Sequence, residues 1–207
     1  MADKANLSGS LIRCSGVAAI LVGILTAAFW FIHPDATLTN VSARLSPMWT
    51  PVYAVFLLVL VLYLFSLMGL FSKQMGKIGY LGAIGFVLAI AGTALLIGAG
   101  AFDGFVTPAL AASSSTVGLL SLDSALMTAV LPLFMVAGIT FLIGNVLFGL
   151  AIFLAKVLPK WTGVLLIISA PILGLSPLMP AEARMAGSVV FGLTNIWLGW
   201  VLLKNKQ

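Results

Sequence analysis

One histidine and five carboxylates hold most of this 207-residue chain's capacity for acid–base or hard-metal chemistry. The histidine stands in His33-Pro34-Asp35, and Asp103 and Asp123 each border an apolar run. Imidazole and carboxylate groups are ligands for hard or borderline cations. They also serve as general acids and bases where folding gathers them in a cleft. His33, Asp35, Asp103 and Asp123 are therefore the candidates for such a site. Their spacing forms no ligand motif, so neither a metal centre nor a catalytic set is assigned, and no cofactor is expected. A single histidine excludes bis-histidine haem within the chain and multi-histidine hydrolase chemistry. A single cysteine, Cys14, excludes an intramolecular disulfide and a cysteine metal cage. Gly98-Ala99-Gly100 lies inside an apolar run and not in a strand-to-helix turn, so it has no phosphate-loop meaning.

A second set of polar residues sits inside apolar sequence. Asn145-Val146-Leu147-Phe148-Gly149 and Asn195-Ile196-Trp197-Leu198-Gly199 repeat one spacing. A separation of four residues places each asparagine beside its glycine on one helix face. Small residues let helices approach while amides hydrogen-bond between them. Asn145, Gly149, Asn195 and Gly199 thus read first as a packing patch, and second as a polar patch for a ligand. Gly85, Ala89 and Gly92, with Thr93 adjoining, form another small face.

The elements that carry these residues follow from composition. The chain is 62% hydrophobic and only 7% charged, against about 25% charged in soluble domains. Too little polar material remains to cover a water-facing surface, so hydrocarbon must be the solvent for most of it. Uncharged runs long enough to cross a core of roughly 30 Å predict spans near 12–32, 51–72, 78–102, 127–155, 161–178 and 185–203, with external segments near 33–50 and 103–123. The first run is too long for a cleaved signal segment and lacks a small-residue cleavage site.

Basic residues choose between six spans and seven. With six spans and a cytoplasmic amino terminus, eight basic residues fall inside and only Arg44 and Arg184 outside, as the positive-inside rule requires. Crossing of 104–122 as well would even the tally at five against five. The same arrangement places Asp35, Asp103, Asp123 and Glu182 outside. Basic residues are scattered in pairs, so nucleic acid is not an expected partner. No charge interrupts a span, which disfavours an ion-coupled carrier.

The run from Trp49-Thr50-Pro51 through 79–85 to Asp103, together with Lys156-Val157-Leu158-Pro159-Lys160-Trp161-Thr162-Gly163, resembles small uncharacterised prokaryotic six-span membrane proteins. The resemblance implies a bacterial cytoplasmic membrane and carries over no functional residues. The expected fold is all-α, one bundle of six transmembrane helices with both termini cytoplasmic. The leading functional expectation is non-enzymatic: a bundle that assembles with copies of itself or other membrane subunits, or binds a lipid or hydrophobic small molecule. The alternatives are a carrier or channel for a small neutral or apolar solute and, third, an enzyme or metal site on the outer face.

Overall fold

The computed structural model describes residues 2–34 and 40–204, so Asp35 lies outside the described residues. The long helices are α1 (Ala2–Ile32), α2 (Trp49–Gln74) and α3 (Gly79–Ala101), then, after the short helix α4 (Thr107–Ala111), α5 (Ala125–Ala155), α6 (Lys160–Gly174) and α7 (Ala181–Lys204). Short 3-10 turns at Val41–Leu45, Val117–Leu120 and Ser176–Leu178 fill the connections, and there is no strand among the described residues. Five helical segments are long and apolar enough to cross a membrane; α6 is the shorter exception. Its 15 residues span about 22 Å at 1.5 Å per residue.

Local chemistry sets the ends. The Ser124 hydroxyl caps α5 by accepting from the Met127 N–H, one of the orphan donors of a first helical turn. Lys156 closes α5 in the left-handed region, at φ 54°. Gly76 and Gly79, at φ 88° and 65°, turn the chain between α2 and α3 where a side chain would be strained.

Two expected boundaries shift. The expected external segment 103–123 does not leave the helix at Asp103: α3 runs on through a π turn, Phe102–Val106, into α4. The expected span 161–178 ends as α-helix at Gly174, with Leu175 leaving helical geometry. Pro177 disfavours the helical region for the residue before it, and Ser176–Leu178 closes as a 3-10 turn instead.

The six long helices form a closed ring in the order α1, α2, α3, α5, α6, α7 and back to α1. Neighbours are antiparallel, so one end of the bundle carries Lys73, Lys77, Lys156, Lys160 and Lys204 and the other carries Arg44 and Arg184. Glycine makes three of the seams. A Cβ on Gly23 of α1 would stand 2.4 Å from the Gly192 carbonyl of α7, and one on Gly16 would stand 3.0 Å from the Gly199 carbonyl. On α3, Cβ atoms at Gly85 and Gly92 would stand 2.5 Å and 2.2 Å from the Phe148 and Phe141 nitrogens of α5. Between α5 and α6, Gly149 faces Gly163 and Gly138 faces Gly174, again carbonyl against the missing side chain. Lipid supplies no hydrophobic drive for helices to associate, so close backbone packing of this kind must hold them.

Gly23→Ala should therefore lower the thermal midpoint of the purified protein, by about 1–3 kcal/mol in stability. Gly98→Ala, whose new Cβ meets nothing within 4 Å, should leave it unchanged or raise it, since alanine is the better helix former by about 1 kcal/mol. Equal midpoints for Gly23→Ala and the wild type would contradict the close α1–α7 seam.

Candidate functional site

The ring surrounds a partly open cavity of about 180 Å³ in the half of the bundle nearer the arginine end, with walls drawn from all six long helices. Its floor is a cluster of rings: Tyr63 of α2 lies 5.3 Å from Phe191 of α7 and 6.0 Å from Phe141 of α5, centroid to centroid. Val22, Val59, Leu60, Leu96 and Leu173 line the middle, with Phe29, Phe56 and Phe134. Trp30, Tyr53 and Asp103 supply the polar upper wall. From Tyr53 to Tyr63 is ten residues along α2, about 15 Å of helix.

Below the floor a polar pair is locked. The Tyr63 hydroxyl donates to Asn145 Oδ1, and Asn145 Nδ2 donates to the Phe141 carbonyl one turn earlier, at 2.9 Å. Both residues are buried, where an unpaired phenol or amide would cost the full desolvation of the group. The bond ties α2 to α5 across the ring and fixes the tilt of the Tyr63 ring at the cavity floor.

At the upper end the π turn after α3 controls the geometry. Such a turn displaces carbonyls from the regular ladder, and side chains take them up. Trp49 Nε1 donates to the Asp103 carbonyl at 2.8 Å, Thr107 Oγ1 to the same carbonyl at 2.7 Å, and Thr50 Oγ1 to the Gly104 carbonyl at 3.0 Å. Gly104 is needed here, because a Cβ on it would stand 2.3 Å from the Tyr53 Cβ. The Asp103 carboxylate is thereby directed at α2, where Tyr53 donates its hydroxyl at 2.6 Å. Arg44 Nε lies 3.8 Å from the same carboxylate, and its guanidinium rests over the Trp49 ring. Arg184 of α7 stacks over Trp30, its guanidinium carbon 4.6 Å from the ring centroid. Both arginines are more than nine-tenths buried.

The sequence candidates fall into different places. His33 joins this upper cluster, with its ring 5.0–5.3 Å from the rings of Phe29, Trp30, Trp49 and Tyr53 and Nδ1 donating to the Pro34 carbonyl at 2.6 Å. Asp103 lines the cavity. Asp123 does not join them: it is exposed in the turn before α5 and accepts from the Ser121 hydroxyl. No three histidine, cysteine or acidic residues come together to hold a metal ion among the described residues.

The two asparagine motifs diverge as well. Gly149 faces α6 and Gly199 faces α1. Asn195 Nδ2 donates to the Phe191 carbonyl at 2.9 Å, whereas its Oδ1 is buried without a hydrogen-bond partner. No hydrogen bond joins the two asparagines among the described residues.

Sequence reasoning passed over Tyr63, Tyr53, Trp30, Arg44 and Arg184 as site residues. The two arginines read there only as charges that set the topology. A usable signal was present for Arg44, which falls five residues before Trp49 at a helix start that also carries Tyr53; the sequence around Arg184 holds no aromatic residue between Trp161 and Phe191.

Tyr63→Phe strands the Asn145 acceptor and should lower stability by about 0.6–2 kcal/mol, read as a fall in thermal midpoint. Asn145→Leu should cost at least as much. No change in either variant would show that the pair holds nothing together. Comparisons with known protein families, curated proteins and solved structures find no match to the chain, so the site stands on its own geometry.

Proposed function

We propose that this chain is a six-span protein of a prokaryotic cytoplasmic membrane, with both termini cytoplasmic, that binds a lipid or hydrophobic small molecule inside the helix ring. The cavity is the observation that carries this reading. An engineered apolar cavity of about 150 Å³ stays dry and takes up benzene, so a cavity of about 180 Å³ lined by aliphatic and aromatic side chains has room for an apolar group of that size or somewhat larger. Ligand sites in bundles sit between helices in this way, mostly apolar with a few polar groups at one end.

The lysine and arginine ends of the ring support the orientation through the positive-inside rule. α6 supports six spans because the ring closes only through it. Its 3-10 extension, Ser176–Leu178, adds about 6 Å at 2 Å per residue to the roughly 22 Å of helix. Binding is favoured over transport because the cavity has a floor, where the tilted rings of Tyr63, Phe141 and Phe191 meet.

Two measurements test the proposal. In a Cys14→Ser background, Ser115→Cys should react with an impermeant maleimide from outside intact cells, and Gly76→Cys only after lysis; the reverse pattern would overturn the orientation. In nanodiscs, 1-dodecanol should raise the thermal midpoint of the wild type, by about 2.7 kcal/mol of stabilisation at a hundredfold excess over its dissociation constant. Leu96→Trp, which fills the cavity, should abolish that response. An unchanged response in a folded Leu96→Trp protein would place the binding elsewhere, and dodecanol flux across proteoliposomes would favour a carrier.

A further inference from the structure

Arg184 is a buried cation beside the upper end of the cavity, which it reaches through Trp30 and does not itself line, and it has no anionic partner among the described residues. Its residue exposure is 8%, and its Nε is buried with no hydrogen-bond partner. Its guanidinium carbon lies 4.6 Å from the ring centroid of Trp30, a residue that lines the cavity. The nearby carboxylate is already engaged: Asp103 receives the Tyr53 hydroxyl and faces Arg44. Glu182, two residues before Arg184, is exposed, and the Arg44–Asp103 contact is the single ion pair among the described residues. Among the described residues, which exclude Asp35, the pairing therefore leaves one buried positive charge over, held against a residue of the cavity wall.

A buried, uncompensated guanidinium is costly, and stacking on an indole face offsets only part of that cost. An anion placed against it would supply the missing charge and acceptor. Guanidinium donors match carboxylate and phosphate oxygens in pairs, and such charge-assisted bonds are the strong ones. The apolar walls select something different, a hydrocarbon group reaching from Trp30 toward Tyr63. The two requirements meet in one molecule.

We infer that the cavity takes a single-chain anionic amphiphile, a carboxylate or phosphate monoester whose head group bonds to Arg184 beside Trp30 and whose hydrocarbon chain fills the space above Tyr63. This rests on the proposed cavity-binding function and narrows it to a ligand class. Trp30 has two parts in it, holding the guanidinium on one face and walling the chain. The lesser charge demand at Arg44, already facing Asp103, makes Arg184 the residue that reads the head group.

The experiment compares probes of equal chain length on the full-length protein in nanodiscs of neutral lipid. Dodecanoate and dodecyl phosphate should bind at least about tenfold more tightly than 1-dodecanol, the difference expected of a charge-assisted hydrogen bond. Inorganic phosphate at the same concentrations should neither bind detectably nor displace them, because it lacks the chain. Arg184→Gln should bring the three amphiphiles to similar affinity while retaining dodecanol binding, and Arg184→Lys should retain part of the preference. Equal binding of dodecanoate and dodecanol by the wild type would overturn the head-group assignment and leave the cavity reading standing. Binding of none of the amphiphiles would overturn both. Because the decisive comparison is made on the wild type, it holds even where Arg184→Gln fails to fold.

Discussion

Backbone-to-backbone contact through glycine is the interaction on which the rest of the structure depends. α1 and α7, the first and last helices, meet where Gly16 and Gly23 face Gly199 and Gly192. That seam closes a row of helices into a ring. The α3–α5 and α5–α6 seams use the same device, through Gly85 and Gly92 on α3, Gly138 and Gly149 on α5 and Gly163 and Gly174 on α6. Between the seams, larger side chains line the ring. They point inward in the half nearer Arg44 and Arg184, and there the rings of Tyr63, Phe141 and Phe191 meet without filling the space above them. The cavity lies above those rings, bounded by side chains of all six long helices.

The polar groups are arranged around that void at two depths. Tyr63 and Asn145 are mutually satisfied, and Asn145 returns its amide to its own helix. Higher up, a π turn spends its displaced carbonyls on Trp49, Thr50 and Thr107, which fixes Asp103 against Tyr53 and Arg44. Because these groups are largely buried, each bond offsets a desolvation cost that an unpaired group would keep. Arg184 differs in carrying a buried charge with no anionic partner among the described residues, and the proposed head-group site rests on it, whereas Asn145 serves packing.

Composition and charge were enough to show an all-helical chain with membrane-length apolar segments, and the small face at Gly85, Ala89 and Gly92 stood out by helical spacing. The asparagine motifs illustrate where periodicity stops. Asn145 and Asn195 share a local sequence, yet one meets Tyr63 across the ring and the other bonds only to its own helix. Which residue stands opposite a helix face is a property of register between helices distant in sequence, and no local pattern encodes it. The same holds for Asp103, expected at the start of a loop and found inside a continuing helical turn. Its neighbours Gly104 and Thr107 carry the reason, because one admits Tyr53 and the other accepts the task of satisfying a freed carbonyl. Arg44 and Arg184 were visible as topological charges; that both are buried follows only from the aromatic residues that cover them.

The most direct test of the whole account is an experimental structure of the protein purified gently from its membrane, without added amphiphile. The expected result is a closed ring with α1 against α7 and elongated density above Tyr63, ending in a polar group within hydrogen-bond distance of Arg184. A ring open between α1 and α7, or a cavity collapsed by Phe56 and Phe134 with Arg184 paired to a carboxylate of the chain itself, would contradict it.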